Sequence, residues 1–472
     1  MAERQVFNQF LNASNVEQIF EAFQLFGRIE SPEQLQQKFY QYNRQLWECI
    51  IAKKSSVQYS SKTLLGKSIL IVGAGPAGFI TAIEAKLMGG SPTVVEKRTS
   101  FTRNNVILLW EYAVDYLKAL GAKYIYRKFC VGGLHHIGIR RLQCLLLKLC
   151  LLLGINVQCG ISFDSMEFNE TEKKWVALIN LKESKKNILV DNNNNPLYFD
   201  CLVGADGLNS VVADFAEFNR KTMKAKQAIG MTFNFVNSRT REEVLLPEFG
   251  YSRFLKQKWF KELRLKSNVN LENCAYYRDE THYFVCTIPK DDLLGTGVVF
   301  KDYHDTNSLL AKDNIARESL EKVARQIATH CNLPEHIEFK LNHHGEKDIE
   351  LFDFTKKLAA TEQVKIIQTT DVISSLFVFL TGDALLEPFW PQGTGANRAI
   401  LSSLDGLYFF KRFISEPNNS NDIILESTNV LSKLHASKPS SILHTLKKTN
   451  LDKIGIKTYS NCTYDPSTRY VR

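Results

Sequence analysis

The segment Ser68-Ile-Leu-Ile-Val-Gly-Ala-Gly-Pro-Ala-Gly78 decides the fold class. Its first five residues form an apolar run typical of a buried parallel strand, and the glycines that follow predict a tight turn into a helix that ends near Gly89. A second short strand is predicted from Thr93 to Glu96. A strand, a helix and a strand within about thirty residues form the βαβ unit with which dinucleotide-binding domains begin.

Three glycines and one acid in this unit meet the requirements of dinucleotide recognition. Gly73 permits the tight turn, Gly75 lets backbone amides approach a pyrophosphate, and Gly78 allows the helix to pack closely on the strand. The helix N-terminus adds partial positive charge beside the phosphates. Glu96 follows Gly78 by 18 residues, where its carboxylate can accept hydrogen bonds from ribose hydroxyls. An acid here disfavours a 2′-phosphate, so we expect FAD or NAD rather than NADP at this site.

A second motif, near the end of the chain, decides between these two nucleotides. Leu376 to Leu380 is predicted to be a buried strand that leads into Gly382 and Asp383, and an Asp at a strand end can hydrogen-bond the ribityl chain of a flavin. The turn Gly393-Thr394-Gly395 begins a predicted helix whose positive end would stabilise negative charge on a reduced isoalloxazine. An NAD site requires neither feature, so FAD is the predicted cofactor.

A shorter motif, Gly204-Ala-Asp-Gly207, lies between the other two and follows a predicted buried strand from Tyr198 to Val203. It resembles the Asp-Gly fingerprint of flavoproteins of the aromatic-hydroxylase type. The chain has no second G-x-G-x-x-G, which disfavours the glutathione-reductase class. Flavoprotein hydroxylases with a single nucleotide site bind NADPH transiently at their surface, and Lys123, Arg127 and Lys128 are candidate contacts for it.

The order of these motifs predicts an α/β fold with three parts. Residues 1–62 have apolar positions at helical spacing and are predicted to be an N-terminal helical extension. Residues 63–210 and 361–472 are predicted to form a Rossmann-like FAD-binding domain of the aromatic-hydroxylase flavoprotein type. Residues 211–360 contain short alternating runs, as from Ala228 to Val236, and are predicted to be an inserted substrate domain with an antiparallel sheet.

Composition and patterning exclude several other classes of protein. The 472 residues are 44% hydrophobic and 23% charged, and the net charge of +9 is not concentrated into the dense basic stripe of a nucleic-acid binder. The longest apolar stretch, Leu142 to Ile155, is too short to span a bilayer, and the N-terminus has no apolar signal segment. We therefore expect a cytoplasmic protein without membrane insertion. The ten cysteines form no CxxC pair, and the histidines lack partners at ligand spacing, so no metal site is predicted.

Four longer runs of sequence are distinctive: Glu96 to Trp110, Ile139 to Gln143, Tyr276 to Val285 and Gly382 to Gly395. Together they resemble the monooxygenase domain of the MICAL family, and the resemblance extends from the N-terminal helices to Asp465-Pro-Ser-Thr-Arg-Tyr470. It implies an FAD enzyme that consumes NADPH and dioxygen and oxidises methionine side chains of actin, which makes filaments disassemble. It also implies that the enzyme releases hydrogen peroxide when no substrate is present, and it suggests an association with the cytoskeleton.

The resemblance also assigns roles to individual residues. The FAD contacts that it implies are Ala77, Glu96, Lys97, Arg98, Arg103, Asn104, Asn105, Phe163, Tyr283 and Asp383, to which the nucleotide motifs add Gly73, Gly75, Gly78, Gly393 and Gly395. Arg98 and Arg103 can act as bidentate donors toward pyrophosphate, and Arg140 is a further candidate contact. Trp390, beside Phe389, is expected to stack near the isoalloxazine and to shape an apolar pocket suited to a thioether.

The sequence departs from the family pattern at two places. Ala77 stands where the family usually has Cys or a similarly small residue, which we expect to be harmless. The calponin-homology and LIM modules that usually follow the monooxygenase domain are absent after Arg472. We therefore expect affinity for actin to come from the catalytic region, with the positive charge of the chain helping it to approach an acidic filament.

Three other functions are compatible with these residues. An NADPH oxidase would make hydrogen peroxide as its real product, and filamentous actin would not stimulate it. A small-molecule aromatic hydroxylase would need a closed pocket with a polar group that binds a phenol, which the sequence does not reveal. A non-enzymatic scaffold could retain FAD for structure alone, although the intact glycine turn, Glu96, Arg103 and Asp383 argue against it.

Overall fold

The computed structural model describes residues 3–27, 31–130, 135–181, 184–191, 194–224, 229–353, 356–369, 374–388 and 393–436. The helices among them are α1 Glu3–Asn12, α2 Val16–Gln24, α3 Pro32–Phe39, α4 Arg44–Lys54, α5 Val57–Ser60, α6 Pro76–Leu87, α7 Glu111–Ala119, α8 Ala122–Ile125, α9 Ile139–Leu152, α10 Val211–Phe215, α11 Arg241–Leu245, α12 Gln257–Ser267, α13 Lys290–Gly295, α14 Thr306–Leu309, α15 Arg317–His330, α16 Gly395–Ser415 and α17 Ser420–Ala436.

The strands, in chain order, are β1 Ser68–Val72, β2 Ser91–Glu96, β3 Val106–Leu108, β4 His136–Gly138, β5 Asn156–Cys159, β6 Ser162–Asn169, β7 Lys174–Leu181, β8 Ser184–Ile188, β9 Tyr198–Phe199, β10 Cys201–Gly204, β11 Arg220–Lys224, β12 Ile229–Val236, β13 Phe249–Ser252, β14 Asn273–Arg278, β15 Thr281–Ile288, β16 Ile349–Asp353, β17 Lys356–Ala360, β18 Val364–Gln368 and β19 Ser375–Leu380. No helix in the described ranges is both long enough and apolar enough to cross a membrane.

A six-stranded sheet in the order β18-β19-β10-β1-β2-β5 forms the centre of the part of the fold that contains the glycine turn. Its strands are parallel except for the edge strand β18, which runs antiparallel to β19. Helix α6 is buried along almost its whole length and packs between α9 and α16. Strands that are covered on both faces need continuous apolar runs, and this explains the uninterrupted apolar sequences of β1 and β19. The predicted α/β fold with a Rossmann-like start is therefore confirmed.

One strand that the sequence predicts as continuous belongs to two different sheets. Residues Tyr198 to Val203 divide at Asp200: β9 pairs with β7, whereas β10 pairs with β1 in the central sheet. The backbone N–H of Asp200 donates to the carbonyl of Ser68, and its carboxylate accepts from the N–H of Ser68. These bonds hold the point at which the chain changes sheets. The small antiparallel sheet of β6 to β9 was not predicted.

The antiparallel sheet expected in the second half of the chain is present. Five strands pair in the order β13-β14-β15-β12-β16, all within the predicted inserted segment 211–360. They enclose a hydrophobic core of their own, in which Phe233 stacks on Phe284 at a centroid distance of 4.8 Å and Tyr276 packs on Phe284 at 4.8 Å. The boundaries of the three predicted parts remain predictions.

The N-terminal helices pack on the central layer through aromatic side chains and one buried lysine. Phe7, Phe10 and Phe26 lie in a single cluster, with Phe7 and Phe10 stacked at 6.4 Å. Lys148 of α9 donates from Nζ to the carbonyls of Leu11 and Ala13 at 2.6 and 2.7 Å, so it caps the end of α1. Burial lowers the pKa of Lys148 to about 8. The apolar helix α9 thus carries one polar group that anchors the preceding helices.

Helix α16 reaches the central sheet at a glycine. The six-membered ring of Phe379, on β19, fills the space into which a side chain of Gly406 would project. An alanine at position 406 therefore requires the ring of Phe379 or the helix itself to move.

We expect Gly406→Ala to lower the free energy of unfolding by about 1–3 kcal/mol, because the added methyl group overpacks the contact between α16 and β19. Urea unfolding of the purified chain measures this change. Gly295→Ala is the matched control, since no described atom lies within 4 Å of its Cβ position. Equal stability of the two variants would contradict the packing assigned to Gly406.

Candidate active site

The candidate site lies at the edge of the central sheet where the parallel strands end. β1, β2, β10 and β19 run in the same direction, so Val72, Glu96, Gly204 and Leu380 all reach this edge. The three motifs found in the sequence follow these strand ends. Ligands of open α/β sheets bind outside the carboxyl ends of the strands, so the topology brings the predicted nucleotide residues to the expected place.

The first glycine turn is shaped by close backbone contacts. Gly73 has φ +107° and the carbonyl of Ala205 fills the space where its side chain would be, so the first and middle motifs abut each other. The carbonyl of Gly73 in turn fills the Cβ position of Gly78, which brings α6 against the end of β1. Gly75 differs from both, because no described atom lies within 4 Å of its Cβ position. The middle glycine therefore faces open space.

Glu96 holds this turn to the second strand. One carboxylate oxygen accepts a hydrogen bond from the N–H of Ala74 at 2.9 Å, and the other accepts from the N–H of Arg98 at 2.9 Å. The side chain is buried, with 8% of its surface exposed. Glu96 is thus fixed beside the glycine turn, and its role as a ribose acceptor remains a prediction.

The segment after Glu96 connects the two large sheets. Lys97, Arg98 and Arg103 are exposed, whereas the two asparagines that follow are fixed by residues of the inserted segment. Asn104 donates to a carboxylate oxygen of Asp348 at 2.9 Å, and Asn105 donates to the hydroxyl of Tyr283 at 3.1 Å. This segment therefore joins the glycine-turn edge to β15 and the chain before β16.

Tyr283 and Asp348 are held by further contacts on the inserted sheet. Tyr283 lies on β15 with only 2% of its surface exposed, and burial raises its pKa well above the usual value. Asp348 also accepts a hydrogen bond from Asn234 at 2.8 Å, and Asn234 accepts from the hydroxyl of Thr281. Asp348 was not among the predicted residues, because its role depends on pairing with Asn104, 244 positions away.

The turn after β19 brings Asp383 to the same edge. Gly382 has φ +62°, and a Cβ added there would lie only 2.9 Å from the side chain of Ala77, so glycine is needed at position 382. Burial raises the pKa of Asp383, and the positive charge of Arg103 opposes that shift. Arg103 and Asp383 therefore act on one another across the site, although they are 280 positions apart in the sequence.

A cluster of hydroxyl groups supports this turn from behind. The hydroxyl of Thr381 bonds to those of Ser402 and Ser403 at 2.8 and 2.9 Å, and Ser402 accepts from the N–H of Gly382 at 3.1 Å. Ser403 donates to the carbonyl of Ala77 at 3.1 Å. Sequence analysis missed both serines, although two adjacent hydroxyl residues inside a buried helix were a visible signal.

The helix predicted to begin at the turn Gly393-Thr394-Gly395 is present, and its start is fixed by hydrogen bonds. α16 begins at Gly395, and Asn397, in its first turn, is fully buried. The side chain of Asn397 accepts from the N–H of Trp110 at 2.8 Å and donates to the carbonyls of Leu108 and Gly393, both at 2.9 Å. Asn397 was also missed, and it orients the N-terminus of α16 against the β3 segment.

The structure does not place four of the predicted site residues beside the glycine turn. Arg140 forms an ion pair with Glu280 at 2.9 Å, at the turn between β14 and β15, and Phe163 is buried on β6 with 4% exposure. A role of either residue in cofactor binding remains a prediction. Phe389 and Trp390 lie outside the described residues.

His282 belongs to a separate buried network of the inserted sheet. Its Nε2 lies 3.1 Å from a carboxylate oxygen of Glu243, and its Nδ1 lies 2.8 Å from the hydroxyl of Tyr276. Burial lowers the pKa of His282 and the carboxylate of Glu243 opposes this. A neutral imidazole satisfies both contacts, donating to Glu243 and accepting from Tyr276. Within the described ranges, no group of side chains could hold a metal ion.

Comparisons with known proteins agree with this arrangement. The sequence family described as "Mical, Rossman domain" matches residues 227–353, and from Ile229 onward these residues form the antiparallel sheet and the helices on it. Among solved structures, the flavin-dependent halogenase CmlS superposes with a TM-score of 0.50 at 11% identity and covers 86% of this chain and 67% of its own. At that identity the likeness concerns the fold alone.

Two curated relatives are similar over most of the chain. The F-actin monooxygenase Mical of Drosophila melanogaster is 37% identical over 431 residues, which make up 90% of this chain and 8% of the relative. The protein-methionine sulfoxide oxidase mical3a of Danio rerio is 35% identical over 435 residues, or 90% of this chain and 20% of the relative. The chain thus spans a fifth or less of these relatives' length. On this similarity, the chain belongs to the MICAL family.

Proposed function

We propose that this chain is an FAD-dependent monooxygenase that uses NADPH and dioxygen to oxidise protein methionine to methionine sulfoxide, with actin filaments as its substrate. The observation that carries the proposal is the convergence of Glu96, the glycine turn at Gly73 to Gly78 and Asp383 at one edge of the parallel sheet. The names of the relatives support the substrate. If actin is the substrate, we expect the protein at the cytoskeleton, in the cytoplasm.

The residues at the edge fit FAD. The open space at Gly75 is where a pyrophosphate approaches backbone amides, and no side chain caps the N-terminus of α6, so its N–H groups remain available. Glu96 would accept from the adenosine ribose, and Asp383 would bind the ribityl chain. Arg103 is exposed and its charge acts on Asp383, so it is available to the phosphates between them.

The protein's part in the reaction is to bind and to orient. FAD, when bound, supplies the redox chemistry between NADPH, dioxygen and a thioether. The hydroxyl cluster of Thr381, Ser402 and Ser403 holds the turn that presents Asp383, and Asn397 aims the positive end of α16 across the site. Asn105 and Tyr283 fix the opposite wall. The apolar pocket for methionine sulfur is assigned to Trp390 and Phe389 on the family resemblance alone.

The test is NADPH oxidation by the purified yellow protein with and without filamentous actin, together with mass spectrometry of actin methionines. We expect filaments to accelerate NADPH consumption and to acquire methionine sulfoxide, with a fall in light scattering as they disassemble. NADPH oxidation that is independent of filaments and yields only hydrogen peroxide would overturn the actin substrate and favour the oxidase. If NADPH did not reduce the bound flavin, the proposal that the chain is an NADPH-dependent enzyme would be overturned.

The glycine turn allows folding and cofactor binding to be separated. We expect Gly75→Ala to unfold at the same temperature as the unaltered apoprotein but to retain much less flavin, because its methyl group enters space that only the cofactor would occupy. Gly78→Ala is expected to lower both the unfolding temperature and the flavin content, since its methyl group collides with the carbonyl of Gly73. Flavin absorbance at fixed protein concentration, alongside thermal unfolding, measures the two effects. Normal flavin content in Gly75→Ala would refute the cofactor position.

Trp390 allows binding and turnover to be separated. We expect Trp390→Ala to keep FAD bound but to lower turnover of methionine, because the ring is predicted to shape the pocket for the sulfur rather than to hold the nucleotide. Flavin content and steady-state kinetics with filaments measure the two properties. Trp175→Ala, on β7, is a control for the loss of an indole outside both the candidate site and α12. Unchanged kinetics in Trp390→Ala would remove the role assigned to it.

A further inference from the structure

Helix α12 is attached to the inserted sheet by one side only. Phe260 and Leu263 are buried in the core of that sheet, with 3% and 0% of their surfaces exposed. Trp259 packs against Tyr251 at a centroid distance of 5.6 Å and against His330 of α15 at 4.7 Å. These contacts fix the orientation of the helix, and its opposite side faces outward.

The outward side is strongly basic. Within residues 253–268 there are six cationic side chains and one acidic side chain, Glu262, which is half-buried; the six exposed cations are Arg253, Lys256, Lys258, Lys261, Arg264 and Lys266. Arg253 lies 3.9 Å from Glu272, and Lys256 lies over the ring of Tyr251. Across the part of the chain that the structure describes, the other four form no ion pair. We call these six residues, with the apolar residues described next, the α12 surface.

Large apolar side chains stand exposed among these cations. Phe254, Leu255 and Leu265 have 82%, 75% and 77% of their surfaces exposed. Isolated exposed apolar residues are common, but exposed apolar side chains rimmed by polar ones mark surfaces that bind another macromolecule. The fold gives no reason for them, since the core below α12 is completed by Phe260 and Leu263.

We propose that the α12 surface is where the chain docks on the acidic surface of a protein filament. The proposal rests on the proposed function, in which the enzyme must reach methionine residues of a filament. Excess positive charge here complements an acidic partner and speeds its approach, and Phe254, Leu255 and Leu265 supply apolar contact once the surfaces meet. Phe260 and Leu263 of α12 share one hydrophobic core with Phe284 of β15, the strand that carries Tyr283, so the docking surface and the proposed flavin wall are built on the same core.

A lipid surface fits these observations less well. A helix that lies in a membrane interface buries a continuous apolar face in the bilayer. The apolar face of α12 is already occupied by the core of the inserted sheet, and Leu265 is the one apolar residue of the helix that is exposed. What remains is a basic surface with separate apolar side chains, which suits a folded acidic partner better than lipid.

The test uses the full flavin-containing chain and a triple charge reversal, Lys258→Glu, Lys261→Glu and Arg264→Glu. We expect the KM for actin filaments to rise about tenfold or more and its dependence on salt to weaken, because three contacts with an acidic surface become repulsive. NADPH oxidation without filaments, the flavin content and kcat at saturating filament are expected to stay the same. Co-sedimentation with filaments gives an independent measure of binding.

The matched control reverses three exposed lysines on other elements, Lys118→Glu, Lys301→Glu and Lys312→Glu, which changes the net charge equally. A second variant, Phe254→Ser with Leu265→Ser, tests the apolar part without changing charge. The KM is expected to rise in the second variant and to change less than twofold in the control.

Several outcomes would overturn the proposal. One is an equal rise in KM for the control, which would mean that only net charge matters. Another is an unchanged KM in the charge-reversal variant while the unaltered chain oxidises filaments, which refutes the docking surface but keeps the proposed function. Loss of binding to phosphatidylserine vesicles with filament kinetics unaltered would assign the surface to a membrane instead. A native chain that neither binds nor oxidises filaments would overturn the proposed function and the docking surface together.

Discussion

The close approach of Gly78 to the carbonyl of Gly73 is the contact on which the arrangement of the site depends. It presses the start of α6 against the end of β1, and Gly73 is pressed in the same way against Ala205. A single methyl group at either position would push these backbones apart, since protein interiors have no room to absorb it. The backbone at the start of α6 can therefore lie beside Glu96 and Asp383 at this edge of the sheet only because these glycines have no side chains.

Polar contacts then join elements that are remote in sequence to this edge. Asn104 and Asn105 reach Asp348 and Tyr283 on the inserted segment, and Asn397 ties α16 to the chain at Leu108 and Trp110. Because these groups are buried or half-buried, losing one partner would leave the other unsatisfied at a cost of about 1–3 kcal/mol. The two large sheets are thus held in a defined relation at the place where the chemistry is proposed.

The inserted sheet and the helix packed on it carry two features that the proposed function would use. One, β15 with Tyr283, would form a wall of the proposed flavin site, and the other, the α12 surface, carries exposed cations and exposed apolar side chains. Because both rest on the same core, their relative position does not depend on a flexible linker.

The sequence by itself determined the features whose causes are local. The apolar runs at β1 and β19, the glycine spacing from Gly73 to Gly78, and the glycine before α16 each act within a few residues, so the α/β class and the order of the motifs could be read directly, and the site residues could be predicted. The tertiary structure alone decided features that depend on distant partners. The division of residues 198–204 between two sheets, the pairing of Asn104 with Asp348, the hydroxyl cluster at Thr381 and the outward direction of the α12 cations all depend on which segments meet when the chain folds. No local pattern encodes these contacts, because each joins residues that are far apart in the sequence and meet only when the core packs.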